Sequence, residues 1–147
     1  MSLVRRGIAV ALLLAAGSVA SGCSGDDAWL SARLADGRLV LTIGGQCSPD
    51  SYLGRVQITG PGRQPLWEIA DDAPERSTPT VTVGDVPAGF AEQVPLRELT
   101  WPVGVDVWTN FRYTVDIPLD SLAGGATVEL SPQPVMNELS PVRPETC

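Results

Sequence analysis

The chain contains no histidine and no lysine, and these two absences remove most of the usual catalytic groups. Without an imidazole there is no Ser-His-Asp triad and no His-rich zinc site; without a lysine amine there is no Ser-Lys dyad and no Schiff base. A nucleophile elbow and a phosphate-cradling glycine loop with its Lys are missing as well. Positive charge is scarce: ten basic residues, all Arg, stand against 17 acids, for a formal net charge of −7. A basic stretch is the minimum footprint for a phosphate backbone, so nucleic acid is excluded as a partner. Aromatic residues make up only 5% of the chain and cysteines number three. No residue pattern calls for a cofactor. Asp71, Asp72 and Glu75 could offer oxygens to calcium, but they lack the alternate-residue spacing of an EF-hand loop and read as a solvated acidic loop, so no metal site is expected.

What is present begins with an export signal. Arg5 and Arg6 give a positive start, and residues 8–20 form an apolar run. That run is shorter than the about 20 residues of a membrane span but suits a secretory h-region. It leads into Ala20-Ser21-Gly22-Cys23, which resembles the lipobox of bacterial lipoproteins, although Ala20 stands where that family most often has Leu. The resemblance implies a type II signal peptide over residues 1–22, cleavage before Cys23, and lipidation of the Cys23 thiol. The alternative is an ordinary secretory signal cleaved near Ala20, with Cys23 left as a structural thiol. Lipidation implies a palmitate-type acyl anchor in the cell membrane, with the chain on the extracytoplasmic face. Residues 23–27 are then a lipidated N-terminus and polar spacer. Each buried CH₂ contributes about 0.8 kcal/mol, so two or three acyl chains hold stably where one does not. Arg5 and Arg6 leave with the signal, and the mature chain is more negative than the whole by those two charges. This disfavours anionic headgroups and leaves membrane attachment to the lipid.

With Cys23 assigned to lipid, Cys47 and Cys147 remain. An even pair in an exported chain reads as a disulfide; two thiols are the alternative. The bridge would close a loop of about 100 residues, contributing up to about 4.7 kcal/mol in the chain-entropy account.

Residues 28–147 fit one domain. Residues 28–34 and 38–43 flank Asp36-Gly37, a turn dipeptide suited to a two-residue hairpin. Pairing Ala35 with Arg38 sets Leu34 opposite Leu39, Ala32 opposite Leu41 and Leu30 opposite Ile43 on a buried face. The wet face then carries Ser31, Arg33, Val40 and Thr42. Residues 52–59 alternate as a third strand, with Val56 and Ile58 inward and Leu53, Arg55 and Gln57 outward. A short strand over 65–69 places Trp67 and Ile69 on one face, and another spans 80–83. Residues 86–96, interrupted by Pro87, Gly89 and Pro95, read either as an edge strand around 90–94 or as an ordered crossover loop. Residues 103–117 alternate too long for one strand and predict a hairpin. Parity requires an odd loop, 109–111, pairing Val107 with Tyr113, Val105 with Val115 and Val103 with Ile117, with Asn110 as the left-handed residue. One helical turn over 118–122, a last strand over 126–130 and a Pro-rich, extended tail complete the chain. This pattern predicts an all-β fold: a small antiparallel β-sandwich, the immunoglobulin-like arrangement being one form of it, although the antibody Cys-Trp-Cys spacing is absent.

The same parity puts Asp106, Trp108 and Arg112 together on the even face of the hairpin, the candidate binding surface. There Trp108 either stacks on a ligand or forms a cross-strand cation–π pair with Arg112. Trp29, Trp67 and Trp101 read as core or hairpin-edge packing. The functional expectation is a lipid-anchored envelope protein with a non-catalytic binding or scaffolding β domain, its partner an envelope protein or a cell-wall glycan. The alternative is an enzyme relying on carboxylates alone, such as a glycan-acting hydrolase. No catalytic residue stands out, and the chain is not expected to be an enzyme.

Overall fold

Alternating apolar residues build two antiparallel sheets that close on each other in this computed structural model, which describes residues 29–135. The signal segment, Cys23 with its spacer, and Cys147 lie outside the described residues. The strands are β1 (Leu30–Ala35), β2 (Arg38–Ile43), β3 (Arg55–Thr59), β4 (Pro65–Ala70), β5 (Thr80–Thr82), β6 (Ala91–Val94), β7 (Val103–Trp108), β8 (Arg112–Ile117), β9 (Val128–Leu130) and β10 (Gln133–Pro134). One sheet has the order β5-β2-β1-β9 and the other β10-β8-β7-β3-β4-β6. The fold is a small all-β sandwich. The neighbour orders β1-β2-β5 and β8-β7-β3 are those of the A-B-E and G-F-C strands of immunoglobulin-like sandwiches, with β4 and β6 added beyond β3.

The first hairpin has the expected register, Leu34 opposite Leu39, Ala32 opposite Leu41 and Leu30 opposite Ile43. Its turn carries φ of +51° at Asp36 and +75° at Gly37, as a two-residue loop with this twist requires. Val40 departs from the expectation. It is buried although it lies on the outward face, because β2 is flanked by β1 and β5, whose Arg33 and Thr82 are its register neighbours.

The second hairpin also has its expected pairs and a three-residue loop. Asn110 is not left-handed, however; among the described residues the non-glycine residues at positive φ are Asp36 and Arg63. The loop closes instead through the Thr109 amide donating to the Phe111 carbonyl, 3.0 Å, and the Thr109 hydroxyl donating to Asn110 Oδ1, 3.0 Å.

The third strand is shorter than its alternation suggested, beginning at Arg55. Leu53, expected outward, is fully buried. Gln46 explains the difference. Its side chain, itself buried, accepts from the amides of Leu53 (3.2 Å) and Thr78 (2.8 Å) and donates to the carbonyls of Ile43 (3.0 Å) and Thr78 (2.9 Å). All of its amide's polar capacity is thereby spent holding the 44–54 loop against residue 78, and Leu53 turns into the core.

The core lies between the sheets and is built from Leu30, Leu39, Leu41, Ile43, Val56, Ile58, Trp67, Ile69, Val81, Val103, Val105, Val107 and Ile117, with Leu122 from a helical turn over Leu119–Gly125. Trp29 closes one end, its ring centroid 4.5 Å from that of Tyr113. Trp101 is partly buried against the core. Residues 91–94 form an edge strand, settling the reading left open for 86–96. β10 lies in the stretch expected only to be extended. Its two residues pair with Thr114 and Tyr113, and the Val135 amide donates to the Arg112 carbonyl, 2.9 Å. Among the described residues the four edge strands are short: β5 and β9 have three residues, β6 four and β10 two.

Candidate functional site

The outward face of the six-stranded sheet is polar and organised in rows across the strands, because β3, β7 and β8 run side by side in continuous register. Where Val105 and Val107 point inward, Gly104, Asp106 and Trp108 point outward. The register places Arg55, Trp108 and Arg112 in one row, Gln57, Asp106 and Thr114 in the next, and Thr59, Gly104 and Asp116 in a third. Asp106, Trp108 and Arg112 are thus brought together as the parity of the hairpin predicted, and Arg55 and Gln57 join them from β3.

In the first row the Arg55 guanidinium carbon lies over the Trp108 ring at 5.3 Å from its centroid and that of Arg112 at 5.0 Å. They reach Trp108 from the strands on its two sides, so a guanidinium approaches the indole from each. The cation–π pair expected between Trp108 and Arg112 is present, and Arg55 doubles it. Such a contact contributes about 0.5–1 kcal/mol at an exposed site. The indole is half-buried, and the two Arg side chains retain 46% and 43% exposure.

The second row holds these cations in place. Asp106 Oδ1 accepts from Arg112 Nε at 3.2 Å and Nη2 at 3.0 Å. Asp106 is 1% exposed, and its second oxygen, Oδ2, is buried with no hydrogen-bond partner. Glu68 on β4 accepts from Gln57 Nε2 and lies 3.6 Å from Arg55 Nη1. Each guanidinium is therefore backed by a carboxylate one row away and still has donors directed elsewhere.

In the third row Gly104 leaves room for a crossing. A Cβ there would stand 2.4 Å from Thr59 Oγ1 and 2.9 Å from Arg63 Nη1. Through that gap Arg63 reaches Asp116 at 3.2 Å.

Two further placements bear on function. Asp71, in the acidic loop considered for calcium, accepts from the Ala73 amide at 2.8 Å. Among the described residues no group of three Asp, Glu, His or Cys is arranged to share a metal ion. Cys47 is exposed on the 44–54 loop, while its expected partner Cys147 and the expected lipidation site Cys23 fall outside the described residues.

Sequence reasoning missed Glu68 and the contribution of Arg55 to the Trp108 stack. The outward parity of Arg55 and Gln57 was readable along β3, but pairing of β3 with β7 and β4 depends on contacts remote in sequence. Comparison with known proteins finds no matching family model, no matching curated protein and no matching solved structure.

Proposed function

We propose that this chain is a lipid-anchored envelope protein, held on the extracytoplasmic face of the cell membrane through Cys23, whose β-sandwich binds without catalysing a reaction. Its binding surface is the outward row of Arg55, Trp108 and Arg112 with Asp106 beneath it. The observation that carries the non-catalytic reading is the condition of the acids on that face. Glu68 and Asp106 stand on either side of Gln57, about two inter-strand spacings or 9–10 Å apart, near the upper range for an inverting carboxylate pair. Glu68 is held by Gln57 and Arg55 and Asp106 by Arg112, and Asp106 is out of reach of solvent. A general acid needs access to its substrate; here the pair holds the guanidiniums instead. The carboxylate-hydrolase alternative loses its best-placed residues for that reason.

The anchor is supported by the lipobox resemblance, and Cys47 and Cys147 form one intramolecular disulfide in this reading. Among the described residues no helix is long and apolar enough to cross a membrane. Metabolic labelling with a fatty-acid probe tests the anchor: the wild type should be labelled and partition with membranes, and a Cys23→Ala variant should do neither. Label retained by Cys23→Ala would refute it.

A further inference from the structure

We infer that the ligand of the Arg55–Trp108–Arg112 row is the headgroup phosphate of the membrane in which the protein is anchored. This deepens the proposed function and rests on the lipidation of Cys23. The argument begins with which end of the sandwich is tethered. Trp29 is bonded through its carbonyl to the Gly44 amide at 2.7 Å, and its ring packs on Tyr113, the neighbour of Arg112. The 44–54 loop runs from there to Gly54, whose amide donates to the Trp108 carbonyl at 2.8 Å. Trp29 and the cationic row therefore share one end of the molecule, while the Asp36-Gly37 turn and residues 119–125 lie at the other.

Only six Cα–Cα steps separate Cys23 from Trp29, at most about 20 Å of extended chain. A short tether of this length keeps the row at a high effective concentration against the lipid surface, so even a weak contact is populated. The chemistry suits the phosphate. Arg112 Nη1 and Arg55 Nη2 have no hydrogen-bond partner among the described residues, and guanidinium donors match phosphate oxygens. Trp108, half-buried with guanidiniums over its ring, is the amphipathic residue type suited to a membrane–water boundary. The overall negative charge opposes an anionic surface at long range, so the contact rests on the short-range pairing of guanidinium with phosphate, which salt weakens.

The test uses the full lipidated protein in vesicles of phosphatidylcholine and phosphatidylglycerol carrying a headgroup spin label. A fraction of the tryptophan emission should be quenched, that fraction should vanish in Trp108→Phe, and it should fall at least about twofold in Arg55→Gln or in 0.5 M salt. Arg55 is chosen because its pair with Glu68 is long and half-exposed, so the fold survives its loss. Acylated protein whose quenching is the same in Trp108→Phe and Arg55→Gln would overturn this inference and leave the anchor standing. Protein lacking acyl chains by intact mass would overturn both. A photocrosslinker at Thr109 that captured an envelope protein or a glycan rather than lipid would also overturn it.

Discussion

Asp106 is a charge with one satisfied oxygen, and its dependence on Arg112 is the most testable feature of the sheet face. Replacing Arg112 by Gln strands a buried carboxylate, which should cost about 1–3 kcal/mol or more in urea unfolding. Adding Asp106→Asn should recover some of that loss, and a double-mutant cycle measures the coupling; strict additivity would show that the two side chains act separately. Tyr113 offers the opposite case. Its hydroxyl is buried without a hydrogen-bond partner, and burial raises its pKa above the ordinary 10.0. Below that value the group is neutral in both folded and unfolded chains. As pH rises through it, the unfolded chain ionises first, so stability is lost on the alkaline side. Tyr113→Phe should therefore match or slightly exceed the wild type at pH 7, by up to about 1 kcal/mol, and lose less stability across pH 10. Equal alkaline losses would contradict this.

Among the elements, the two local hairpins were legible because each carries its own register. Asp36-Gly37 names its turn, and the long alternation of residues 103–117 permits a three-residue loop but not a two-residue one. Arg55 and Gln57 showed their face for the same reason. What could not be read was which strands become neighbours: the β3–β7 and β4–β6 pairs join residues far apart in the chain, and nothing local encodes them. β10 was hidden by Pro132 and Pro134, which are compatible with an edge strand as well as with an extended tail. Leu53 was misplaced because a side chain, Gln46, rather than alternation decides its direction. Gln46→Leu should remove four hydrogen bonds and leave the Leu53 and Thr78 amides without this acceptor, costing about 2–4 kcal/mol in urea unfolding. Hydrogen exchange should quicken at Leu53 and Thr78 first. Unchanged protection there would show that packing, not the Gln46 amide, holds the loop.

At the scale of the whole molecule, the proposed Cys47–Cys147 bridge would tie the tail to the loop that Gln46 clamps. Reduction should lower the unfolding free energy by up to about 4.7 kcal/mol, with intact mass under non-reducing conditions establishing one bridge and no alkylatable pair; no change on reduction would remove the bridge from the stability of the fold. The short edge strands have a separate consequence. A sheet edge is a row of unpaired amides and carbonyls on which a second chain can add, and long edges are templates for polymerisation. Among the described residues the longest edge strand, β6, has four residues, of which Glu92 is charged. Two copies meeting side by side through these edges therefore find little continuous backbone to share, so that molecules at high concentration can collide often without these edges seeding fibrils.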